Sequence, residues 1–206
     1  MAENRSLAQS ALHHANEGFC NPWPGARLHG FRDFLKWVVT REHRYARKGD
    51  LDAESFARVA PSFPVPRAAA DALVITWVGH TSFLVQLGGK NILLDPIWSD
   101  RASPVSFVGP RRWVPPAVAF DALPPIDLVV LSHDHYDHLD VMTVRRLVRA
   151  YPNAHWIAPL KVGDWLRQRG AAVFAELDWW QATSVDGLTI TCTPAQHFSE
   201  DCRNME

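Results

Sequence analysis

The ten residues 131–140, LSHDHYDHLD, limit what this chain can fold into more than any other stretch. Three histidines and three aspartates follow directly on the run Ile126–Leu131, whose apolar, β-branched character predicts a buried strand. Such a strand delivers the next residues to its carboxyl end, where open α/β sheets bind ligands. His133 and His135 are two apart, so extended backbone sends both imidazoles to one side. Asp137 continues that alternation, and His138 follows as the chain turns. Imidazole nitrogen and carboxylate oxygen suit zinc. The competing reading is a solvated histidine-rich loop, and the apolar strand immediately behind the cluster argues against it.

A catalytic zinc with one open position needs a third nitrogen ligand. His197 is the best candidate, because it follows the strand-like run LTITCTPA and should also stand beyond a strand's carboxyl end. His80, after ITWVG, is expected at the same rim in a structural hydrogen-bonding role rather than as a ligand. His13, His14, His29, His43 and His155 have no supporting pattern.

Around this cluster the pattern is α/β. LVITWVGH, SFLVQL and NILLDP read as strands, the last two joined in a hairpin at Gly88-Gly89. A loop rich in Pro, Arg and Trp spans 97–125. Beyond the IDLVVLSH strand, the expected order is helix (LDVMTVRRLVRA), strand (AHWIAP), helix stopped by Gly170, and strands AAVFAEL and GLTITCTPAQH. Upstream, Leu28, Phe31, Leu35, Val38 and Val39 recur at helical spacing, predicting a helix to about Arg47 with a basic trailing end. That face could seat at an anionic membrane surface or dock on the core. A second short helix is expected over Ala53–Val59, and APSFPVPRAAA reads as a connector. The division expected is a leader, 1–70, and an α/β domain, 71–206.

Composition narrows the classes. A hydrophobic content of 47% is that of a globular protein, and a net charge of −1 argues against a dedicated nucleic-acid binder. Three cysteines without a CxxC pair point to a reducing, cytoplasmic compartment, and Met1–Ser10 lacks the apolar core of a secretory signal.

The H-x-H-x-D-H element, the opening hairpin and a later strand-borne histidine resemble the metallo-β-lactamase superfamily. NPWPG, WVGHTSFLV, LLDPIWSDRASPVSFVGPRRW, LPPIDLVVLSHDHYDHLD, ELDWW and TPAQHFS further resemble its N-acylphosphatidylethanolamine-hydrolysing phospholipase D group, from about Phe19 to Ser199. The resemblance implies an αββα sandwich and a two-zinc site. In it, His133, His135 and His197 hold the first metal, while Asp137 and His138 begin the second and serve the catalytic step. It further implies a phospholipid substrate, cleaved to phosphatidic acid and an N-acylethanolamine, and peripheral membrane contact. Asp95 would support the ligands from behind, although a strand-terminating turn aspartate is an equal alternative. Arg111 and Arg112 would bind a phosphate headgroup or lie on a solvated loop.

After QHFS the sequence EDCRNME departs from that group. The family's later aspartate and final histidine have no counterpart, so the expectation is the N-terminal half of the sandwich plus its leader. One zinc or none is then expected, with an exposed apolar sheet face, weak folding and little catalysis. The alternatives carried forward are an inactive half-domain that binds at most one zinc, or one that functions only with a complementing chain such as a second copy in a homo-oligomer, and a lactonase or nuclease of the same superfamily.

Overall fold

A computed structural model describes residues 12–15, 18–23, 31–40, 57–103, 105 and 107–197. By its contacts the chain divides into two units. One comprises Met1–Ala57 with Ala195–Phe198, and the other comprises Arg58–Pro194 with Ser199–Glu206.

In the first unit, strands β1 (His14–Ala15) and β2 (Gly18–Phe19) form a short antiparallel ladder, and helix α1 covers Phe31–Thr40. The predicted helix ran from Leu28 to Arg47, and its two ends lie outside the described residues. Leu35 and Val39, members of its expected apolar face, are exposed. The second expected helix is not formed at Ala57–Val59, and its remaining positions lie outside the described residues.

The second unit is built on a six-stranded sheet. Its first three strands, β3 (Val74–Gly79), β4 (Ser82–Leu87) and β5 (Lys90–Leu94), run as an antiparallel meander. Gly88 and Gly89 join β4 to β5 with φ of 59° and 70°, the left-handed pair that a two-residue hairpin turn requires. β6 (Leu128–Val130), β7 (His155–Pro159) and β8 (Ala172–Leu177) then add in parallel, giving the order β3-β4-β5-β6-β7-β8. The crossovers carry α2 (Val141–Ala150) and the short α3 (Gly163–Arg167). A final hairpin, β9 (Ala182–Val185) and β10 (Leu188–Thr191), pairs only with itself. The expected strand GLTITCTPAQH therefore ends at Thr191 and does not join the main sheet.

Strand alternation sorts the side chains into two clusters. On one face Val78, Leu84, Leu93, Val129 and Trp156 pack with Val144 and Leu147 of α2 and Leu166 of α3. Each such side chain contributes about 1.5–3 kcal/mol on burial. Val118, Phe120 and Leu123 of the long 97–125 loop complete this core. On the opposite face Ile92, Leu128, Ile157 and Leu177 are covered by Val185, Leu188 and Ile190 of the β9–β10 hairpin. Farther along that face, at the β3 edge, Ile75 and Trp77 are 59% and 62% exposed. An uncovered apolar surface of this kind was expected, but the hairpin restricts it to the strands that it does not reach.

The proline-rich connector is part of this unit. Gln86 and Asn91, paired across β4 and β5, are fully buried and donate to the carbonyls of Pro64 and Pro66 at 2.9 and 2.8 Å. Asn91 Nδ2 also donates to Pro125 O at 2.7 Å. Arg67 donates to the Gly89 carbonyl at 3.2 Å and pairs with Asp127. Prolines present carbonyls without competing N–H groups, so the segment caps buried amides that would otherwise lack partners.

Candidate metal centre

β6 lies between β5 and β7 and ends into Leu131, whose N–H continues the ladder by donating to Ile157 O at 3.0 Å. The loop Ser132–Asp140 therefore leaves from the middle of the parallel half of the sheet. Both of its ends are fixed. Leu139 is fully buried. Asp140 caps α2, accepting from Met142 N at 3.0 Å and Thr143 Oγ1 at 2.5 Å. It also accepts from Ser99 N and Oγ at 3.0 and 2.8 Å, tying the 97–125 loop to the same point.

The other end is fixed by Asp95, immediately after β5. Its carboxylate accepts from Ser132 N and Ser132 Oγ, both at 2.7 Å, and lies 2.8 Å from His138 Nδ1. Asp95 itself is 8% exposed, with φ of 40°. That left-handed conformation costs an L-residue about 1–2 kcal/mol, which the surrounding hydrogen bonds offset. Ser82 donates to its carbonyl at 2.6 Å.

These contacts decide which imidazole nitrogens are presented. An ionised carboxylate only accepts, so His138 carries its proton on Nδ1 and offers the Nε2 lone pair. The Ser132 hydroxyl spends its single proton on Asp95, so at 2.8 Å it accepts from His133 Nδ1–H, leaving His133 Nε2 as a lone pair. His133 Nε2 and His135 Nδ1 lie 3.0 Å apart, and the His133 and His138 ring centroids are separated by 3.9 Å. Asp134, between the two histidines, points the other way and is buried, as alternation requires.

The β3–β4 turn supplies the remaining wall. His80, with φ of 51°, places Nε2 2.9 Å from Asp137 Oδ2, and Thr81 Oγ1 donates to Asp137 O at 3.3 Å. Trp77 Nε1 holds the His80 carbonyl at 2.9 Å. Burial pushes the Asp137 carboxyl up. The hydrogen bond from His80 and the electrostatic pull of the His138 and His80 rings outweigh it, so the group lies below the ordinary carboxylate range. His80, Asp137 and His138 each offer a ligand atom within 4.8 Å of the others.

The donor set fits a divalent zinc-type cation: convergent imidazole nitrogens, an ionised carboxylate, and ring orientations fixed from behind by Asp95 and Ser132. His197 is exposed and falls with the first unit, in the segment Ala195–Phe198. Arg112 is committed elsewhere: Nε and Nη2 donate to the carbonyls of Ser99 and Ile97 at 2.9 and 3.1 Å, and burial pulls its guanidinium down. Arg111 is exposed, 3.5 Å from Asp100. Ser132, Ser82, Thr81 and Asp140 escaped the sequence reading. Only the place of Ser132, directly between strand and cluster, carried a signal for any of them.

Residues 90–206 match the family described as the beta-lactamase superfamily domain. An uncharacterized protein of Mycobacterium tuberculosis is 38% identical over 210 residues, covering 96% of this chain and 53% of that protein. N-acyl-phosphatidylethanolamine-hydrolyzing phospholipase D 1 of Caenorhabditis elegans is 40% identical over 154 residues, covering 68% of this chain and 43% of that protein. A metal-dependent hydrolase of Methanopyrus kandleri is 31% identical over 127 residues, covering 61% of this chain and 48% of that protein. The chain spans about half the length of these curated relatives.

Proposed function

This chain belongs to the beta-lactamase superfamily, and from that premise we propose that it is a metal-dependent hydrolase acting on phosphodiesters of the N-acylphosphatidylethanolamine type. The observation that supports the proposal best is the Asp95–Ser132–His133 and Asp95–His138 network, which orients the His133 ring against His135 and the His138 ring toward Asp137. The substrate class draws its support from the Caenorhabditis elegans relative, which bears that name.

In this reading His133 and His135 contribute to one metal, and Asp137 with His138 begins a second. Bound zinc supplies a Lewis acid for phosphoryl oxygens and lowers the pKa of a bound water toward about 7. The chain's own residues do the positioning. His80 occupies one oxygen of the Asp137 carboxylate, leaving the other to face the metal and orient a bound water. Asp95 holds the His138 ring against rotation. Addition of water across the phosphodiester breaks the bond to the N-acylethanolamine oxygen, which leaves with a proton, and phosphatidic acid remains. Leu35 and Val39 on α1 are exposed apolar side chains suited to peripheral contact with the lipid that carries such a substrate. Among the described residues no helix is long and apolar enough to cross a membrane.

The test is incubation of zinc-loaded protein with N-acylphosphatidylethanolamine, a bis-aryl phosphate and a lactone. Release of phosphatidic acid that disappears in His133→Ala supports the proposal. Turnover of the lactone alone would overturn the substrate class, and turnover that survives His133→Ala would overturn the metal assignment.

A further inference from the structure

α2 carries three arginines and no acidic residue, and the metal centre uses none of them. Arg146 is committed to its surroundings, with Cζ 3.9 Å over the Phe120 ring and a guanidinium nitrogen 3.5 Å from Asp121. Arg145 and Arg149 are different. They stand one helical turn apart on the exposed side and line a groove of about 350 Å³ with Val148, Gln168 and Arg169. Among the described residues, no carboxylate lines that groove.

Arg169 reaches it from the end of the α3 segment with its guanidinium already set. Cζ lies 3.7 Å over the Trp165 ring, and Nη1 donates to Trp165 O at 3.0 Å. The helix dipole accounts for Arg149 in the last turn of α2. It does not account for Arg145 one turn earlier, or for a third guanidinium brought in from another element. Like charges spaced i,i+4 repel. The repulsion is small for each pair, and an anion shared by the three would offset it.

We propose that this groove is a binding site for a phosphate-monoester anion, held by Arg145, Arg149 and Arg169. Guanidinium groups match phosphate oxygens in bidentate geometry. Gln168 adds a neutral amide donor, and Val148 gives an apolar floor for the ester carbon. The groove has room for one phosphate and its first substituent. Arg149 stands about 14 Å along the helix from Asp140, so the site is separate from the metal centre and does not rest on the hydrolytic reading.

The anion has two possible sources, a phosphatidic acid headgroup or a soluble phosphate, and two assays on the full chain separate them. One is calorimetric titration with inorganic phosphate. The other is co-sedimentation with phosphatidylcholine vesicles, with and without phosphatidic acid. The expected result is binding in at least one assay, weakened about tenfold or more in Arg145→Glu/Arg149→Glu. Retention only by phosphatidic acid vesicles assigns a lipid source, and phosphate binding in solution assigns a soluble one. Should the charge-reversed protein lose its wild-type circular dichroism, Arg145→Gln/Arg149→Gln makes the same comparison. Absence of binding in both assays, or binding unchanged in the folded variant, overturns the proposal.

Discussion

The Asp95 carboxylate lies 2.8 Å from His138 Nδ1, joining the end of β5 to the histidine loop that follows β6. Because the same carboxylate also receives both donors of Ser132, one side chain orients His138 directly and His133 through a hydroxyl. Asp95→Ala is therefore expected to weaken zinc binding about 10- to 100-fold while all the histidines remain. Competition with a chromophoric chelator measures this. An unchanged affinity in a folded variant would show that the rings need no support from Asp95.

Asn91 makes a different prediction because it touches only protein. Its amide donates to two proline carbonyls and accepts from Gln86 Nε2 at 2.8 Å, all in the interior. Asn91→Leu would leave those buried groups unsatisfied and should cost about 2–4 kcal/mol. Chemical denaturation would show this as a lower midpoint with an unchanged slope.

Asp140 ties three segments together. Replacing it with Ala removes the α2 cap and the anchor of Ser99, for a loss of about 1–3 kcal/mol. Hydrogen exchange should rise at Ser99 and in the first turn of α2, whereas β3 should keep its protection. A uniform rise across the sheet would contradict the local role.

Gly163 lies against the end of the Glu176 side chain. A Cβ there would meet Glu176 Cδ at 2.2 Å, where Gly163 N now donates to Glu176 Oε1 at 2.9 Å. Gly163→Ala is expected to destabilise by about 1–3 kcal/mol. Adding Glu176→Ala should recover part of the loss, and a strictly additive double variant would show that the two residues do not interfere.

Hydrophobic period and turn chemistry made much of the fold legible. The meander, the Gly88-Gly89 hairpin and the β6-α2-β7-α3-β8 alternation all follow from runs that can be read locally. β9 was not legible, because ATSV is short and weakly apolar and its strand character comes from pairing with β10. The connector was misleading for a related reason. Its prolines suggest a linker, yet their carbonyls satisfy Gln86 and Asn91, a relationship that depends on residues more than twenty positions away. In the candidate site, His133, His135, Asp137 and His138 stood out by residue type and spacing. Ser132 and Asp140 stood out less, because Ser132 takes its role from the distant Asp95, and Asp140 joins a local helix cap to a hold on Ser99 about forty positions away.

If the histidine–aspartate cluster holds zinc as proposed, the zinc content per chain reports it. After loading and removal of loosely held metal, elemental analysis should find roughly one zinc per chain or more, lost in His133→Ala and in His135→Ala. Protein that retains no zinc, or retains as much after either substitution, would contradict the account.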